Sequence, residues 1–168
     1  MLGRLKDYFT REKLHRVLMY GIYMFVCLIF QEMFFSELRP LGVCPMFLPA
    51  VAAAVGMFEG VTWGAIFGLI MGIFADMAYV ETTVMFTLTY PVIAFVVGFV
   101  SQFFINRRFL AYMFCATVSL FAAGFVQMLR IVAISGFSFL ALETVIFQAL
   151  WSVPLAAIVY FPPAKWIE

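Results

Sequence analysis

Long apolar stretches separated by short polar punctuation dominate this chain. Charged or turn-forming residues gather at 1–16, 36–40, 59–60, 81–83, 106–108, 135–138 and 162–168, and the stretches between them are apolar almost throughout. They predict six helices, over about 17–35, 41–58 or 45–58, 61–80, 84–105, 109–134 and 139–161. Nineteen residues of α-helix rise about 29 Å, enough to cross a bilayer. The second stretch is the least regular. It holds Pro45 and Pro49 ahead of the small-residue run from Ala50 to Gly56, and fits either a kinked full crossing or a re-entrant hairpin. Pro91 and Pro154 predict kinks in the fourth and sixth helices, and Pro162, Pro163 and Trp166 are expected to end the sixth at an interface.

In the third stretch Gly60, Gly64, Gly68 and Gly72 recur every four residues, and the next step of that count is Asp76. In water each glycine weakens a helix by roughly 1 kcal/mol against alanine. In lipid, small residues four apart open a groove that lets another helix backbone approach. Four residues turn about 400°, so the stripe drifts about 40° per step and suits a partner crossing at an angle. The pattern predicts internal helix packing rather than a seam between subunits, with this helix as the packing centre of the bundle.

Composition narrows the class. Of 168 residues 66% are hydrophobic and 11% charged, against about 25% charged in soluble domains. The chain therefore reads as one all-α polytopic membrane domain (17–161), preceded by a basic segment (1–16) and followed by a short tail (162–168). The basic segment fits a helix lying on anionic lipid or a plain solvated leader. No small-residue cleavage site closes the apolar run after it, so a cleaved signal peptide is not expected. A net charge of +1 gives no electrostatic footprint for nucleic acid. Cys27, Cys44 and Cys115 have no paired spacing and His15 is the only histidine, so neither a disulfide framework, a metal site nor a cofactor is expected. No nucleophile stands beside a candidate base, and no catalytic constellation emerges.

Topology follows from the cations. With six crossings the N-terminal segment, Arg107, Arg108 and Lys165 share the cytoplasmic side, leaving only Arg39 and Arg130 on the other. Both termini are then cytoplasmic. In that arrangement Glu32, Asp76, Arg130 and Glu143 lie about three to five residues, or roughly 5–8 Å, from the outer ends of four different helices. Arg130 is expected to pair with Glu143 across the turn between the last two helices, with Asp76 and Gln127 near them. The functional reading is an outward-facing polar pocket or a contact for a partner; the plainer one is side chains snorkelling to headgroups plus one structural ion pair. Asp76 points to a specific role, because a short side chain snorkels poorly.

Size, six short-looped spans, and the segment carrying Trp63, Gly64, Gly68, Leu69, Gly72 and Asp76 resemble the rod shape-determining protein MreD family, with Pro49 similarly placed in the preceding span. The resemblance implies a non-enzymatic scaffold in the bacterial plasma membrane. It would bind the bitopic protein MreC within a cell-elongation complex that also holds MreB, RodA and a class B penicillin-binding transpeptidase. It also implies a bundle similar to the S-component of energy-coupling-factor transporters. A vitamin-type binding subunit is therefore the alternative, although the Ala-x-x-x-Ala spacing that such subunits often carry in the first span falls here at Ala50 and Ala54, in the second.

Overall fold

The computed structural model describes residues 11–35, 44–78, 84–103, 108–136 and 139–166. Among these, six α-helices follow one another: α1 Arg11–Phe30, extended by a π-helical turn Gln31–Phe35, then α2 Leu48–Glu59, α3 Val61–Ala78, α4 Met85–Phe103, α5 Phe109–Ser135 and α6 Phe139–Lys165. The segments Met85–Phe103, Phe109–Leu129 and Leu142–Pro163 are long and apolar enough to cross a membrane; Val17–Met33, Leu48–Glu59 and Val61–Met77 are apolar but shorter. Residues 11–16 of the basic segment form the start of α1.

The polarity of the bundle is that of a protein whose solvent is hydrocarbon. Large apolar side chains such as Phe25, Phe74, Leu88, Phe114 and Leu150 point outward, while Gln31, Ser101, Ser119 and Ser152 are buried. Lipid gives no reward for hiding leucine, so small residues and hydrogen-bonding groups collect between helices instead.

The packing centre is α2 rather than the glycine helix. Every residue from Leu48 to Phe58 is buried, and α2 touches all five other helices. Its run of alanines lets those helices close on it from every side. By contrast, α3 buries only one stripe and turns Trp63, Ile66, Leu69, Ile73 and Phe74 outward. The twelve residues of α2 rise only about 18 Å. The non-helical Cys44–Phe47 segment before it adds up to about 13 Å if extended.

Such backbone cannot lie unsatisfied in an apolar interior, and side chains of α6 and of the turn that extends α1 supply the missing partners. Gln31 Nε2 donates to the Pro45 carbonyl at 2.8 Å, and the Phe47 amide donates to Gln31 Oε1 at 3.1 Å. The Met46 amide donates to Ser152 Oγ at 2.9 Å, while that hydroxyl donates back to the Gln148 carbonyl at 2.7 Å. Replacing Gln31 with methionine, similar in length but unable to make either bond, is expected to destabilise the bundle by about 2–4 kcal/mol, because both backbone groups stay buried. A thermal melt in lipid nanodiscs checks this; a melting temperature equal to wild type would show that the segment does not depend on Gln31.

One feature expected at the end of α6 differs. The helix runs through Pro162 and Pro163 to Lys165 instead of ending before them. Pro163 has no N–H for the Val159 carbonyl one turn back, and the Tyr23 hydroxyl donates to that carbonyl at 2.8 Å in its place. Trp166, just beyond this helix, is seated edge-on against Tyr20 and Tyr23, with ring centroids 5.1 and 5.6 Å away.

Candidate functional site

The glycine stripe meets a definite partner. A Cβ built on Gly64 would lie 2.6 Å from the Gly56 Cα and 3.5 Å from the Ala94 carbonyl oxygen. On Gly68 it would lie 2.8 Å from the Tyr90 carbonyl oxygen, and on Gly72 2.7 Å from the Thr87 Cα. Positions 64, 68 and 72 therefore descend along α4 opposite 94, 90 and 87. This antiparallel register leaves no space for a side chain at any step. Gly60 does not share the role. It stands between α2 and α3 at φ 86°, a left-handed conformation that glycine adopts without strain.

The register carries Asp76 to the start of α4. Its carboxylate accepts the Phe86 amide at 3.1 Å and the Thr87 amide at 2.8 Å, and the Thr87 hydroxyl at 2.6 Å. Those amides belong to the first turn of α4, whose N–H groups have no partner within their own helix. Asp76 caps α4 from the neighbouring helix, and its negative charge sits at the positive end of the helix dipole.

The other residues expected around it occupy separate surroundings. Gln127 is half-buried on α5, Glu143 is exposed on α6, and Glu32 is half-buried in the π-helical turn. Among the described side chains no ion pair or hydrogen bond joins Asp76, Gln127 and Glu143. The Arg130 side chain lies outside the described residues, and so does its expected pairing with Glu143. The backbone register is visible: a Cβ on Gly124 would lie 2.9 Å from Val145 Cγ1, which sets position 130 about one turn beyond the level of Glu143.

A cavity between α2, α5 and α6, lined by Met46, Pro49, Gly124, Gln148 and Ser152, has a volume of about 10 Å³, roughly room for one water. Two larger clefts open sideways. One of about 170 Å³ lies between α1 and α6, against Tyr23 and Phe30. The other, about 290 Å³, lies between α4 and α5. Cys27 and Cys115 are buried free thiols and Cys44 is a half-buried one. No group of His, Cys, Asp and Glu placed to hold a metal occurs among the described residues.

Several residues that organise this region were not singled out from the sequence. Gly56 and Gly98 form the tightest crossing, where α2, α3 and α4 meet: a Cβ on Gly98 would lie 2.9 Å from the Gly56 carbonyl oxygen and 3.0 Å from the Val61 Cα. The Ser101 hydroxyl lies 3.3 Å from the Met57 carbonyl and donates to the Gly98 carbonyl at 2.9 Å. The buried Tyr112 hydroxyl reaches the carbonyls of Ala50 and Ala156, at 3.2 and 3.1 Å. A signal for this crossing was available in the eight-residue step from Gly56 to Gly64, which crosses the α2–α3 turn.

No family model, curated protein or solved structure matches this chain.

Proposed function

We propose that this protein is a non-enzymatic scaffold of a bacterial cell-elongation complex. It would cross the plasma membrane six times with both termini in the cytoplasm, and bind the transmembrane helix or juxtamembrane segment of an MreC-like bitopic protein. The resemblance of the glycine-rich segment to the MreD family suggests the partner. One structural observation favours a scaffold over a nutrient-binding subunit. The polar side chains deep in the described bundle serve its own backbone: Asp76 caps α4, Gln31 and Ser152 hold the segment before α2, and the cavity beside them holds about 10 Å³. That is far below the roughly 300–1,000 Å³ of small-molecule sites; the α4–α5 cleft approaches that size at about 290 Å³, but its walls are apolar and offer a polar nutrient few partners. Binding capacity then rests on the outer helix ends and apolar flanks, where close packing and a few interhelical hydrogen bonds drive association.

The test is gentle affinity purification from native membranes, with proteomics and small-molecule mass spectrometry on one eluate. An MreC-like bitopic protein recovered with penicillin-binding machinery, and no stoichiometric metabolite, is the expected result. Paired ATPases with a coupling subunit, or a bound vitamin, would overturn the reading and make the outer helix ends a substrate site.

A further inference from the structure

Helices α4 and α5 are consecutive in the chain and leave a cleft between them. The cleft between them is lined by Val92, Val96 and Val100 of α4 and by Phe114, Val118 and Ala122 of α5. It runs about 12 Å along each helix. Its polar component is the Ser119 hydroxyl, which donates to the Cys115 carbonyl at 2.7 Å. The walls therefore suit hydrocarbon and ask for no hydrogen bond.

Arg108, exposed, stands immediately before α5, six residues ahead of Phe114. It forms no ion pair among the described residues. From Arg108 to Phe114, the first cleft residue of α5, is about 9 Å along the helix. The headgroup region on one side of a bilayer is about 5–7 Å thick. An anion at Arg108 and a hydrocarbon chain in the cleft are thus spaced like the phosphate and acyl chain of one lipid.

We propose that this cleft binds an acyl chain of an anionic phospholipid whose phosphate is held by Arg108. The inference rests on the membrane placement given above, not on the scaffold role. A protein helix is the poorer occupant, because about 290 Å³ spread over about 12 Å leaves a cross-section of only about 24 Å², far below the roughly 80 Å² of a helix about 10 Å across. A single chain fits, and the cation selects the headgroup.

The test uses the full chain purified with equal amounts of phosphatidylglycerol and phosphatidylcholine, each carrying a diazirine halfway along one acyl chain. Native mass spectrometry reads which lipid is retained, and peptide mapping reads where it crosslinks. Retention of phosphatidylglycerol is expected to exceed that of phosphatidylcholine about fivefold, with crosslinks concentrated on α4 and α5. Arg108→Glu, at an exposed position, should remove the preference while leaving the melting temperature unchanged. Val118→Trp, at a half-exposed position in the cleft wall, should remove the α4 and α5 crosslinks. Equal retention of the two lipids by the wild type would overturn the proposal, as would crosslinks spread evenly over all outward helix faces and unmoved by Val118→Trp. Loss of the MreC-like partner in the purification above would leave this result standing, so the two readings fail separately.

Discussion

Gly56→Leu is expected to prevent the bundle from assembling. On helix propensity alone leucine would gain about 1 kcal/mol over glycine, so the clash must be weighed against that. A Cβ at position 56 would overlap the carbonyl oxygen of Ala94 and stand 2.9 Å from the Ala94 C and Cα atoms. Backbone cannot rotate aside as a side chain can, so α2 and α4 would have to separate. Separation would also break the contact of Gly98 with the Gly56 carbonyl oxygen and force α3, which touches both helices at Gly56 and Gly98, to leave one of them. Overpacking a core typically costs about 1–3 kcal/mol even where side chains adjust; three helices prised apart should exceed about 3 kcal/mol. Gly21→Leu is the control, because nothing lies within 4 Å of a Cβ there. Fluorescence-detected size-exclusion with a thermal ramp should show Gly21→Leu melting at or slightly above wild type and Gly56→Leu lost to aggregate. A monodisperse Gly56→Leu with a wild-type melting temperature would mean the three helices do not meet there.

Asp76→Ala is expected to unfasten the first turn of α4 at a cost of about 3 kcal/mol, since two amides and a hydroxyl lose their acceptor and the net cost of an unsatisfied group is about 1–3 kcal/mol. Asp76→Asn should fall between alanine and wild type, because the amide oxygen can still accept but no longer brings a charge to the helix end. Hydrogen exchange at the amides of Phe86 and Thr87 should accelerate in the same order, ahead of amides in the middle of α4. This measurement separates two roles for the carboxylate. If Asp76→Ala leaves exchange and melting unchanged yet abolishes capture of a partner, the group is a binding contact and not a cap.

Helix limits were legible in the sequence because a cluster of charged and turn-forming residues is costly within an apolar span and cheap where the chain leaves it. Gly60 and Gly136 do adopt positive φ where turns were expected. The glycine period identified a face of close approach, but not which helix would fill it; that depends on the antiparallel register of α4, a property of two segments together. Depth alone grouped Glu32, Asp76, Arg130 and Glu143, with Gln127 added one turn before Arg130, and depth ignores azimuth. Residues at one level of different helices can face different neighbours, as Asp76 against α4 and Glu143 on the exposed side of α6 do. The role of Gln31 was hidden for a related reason. Its partners are main-chain atoms of a segment whose non-helical course the side-chain pattern did not reveal.

The short central helix has a consequence for biogenesis. At synthesis α2 leaves the ribosome before α3, α4, α5 and α6, all of which it touches in the finished bundle. The Gln31 bonds can form early, because both partners are already made, whereas the Met46 amide waits for Ser152, which is synthesised only midway along the last helix. Until then the segment before α2 carries a bare amide and a helix of twelve residues that is too short to settle across the bilayer unaided. In the finished fold later helices close around an earlier one, and the bond from the Met46 amide to Ser152 is among the last that the order of synthesis permits.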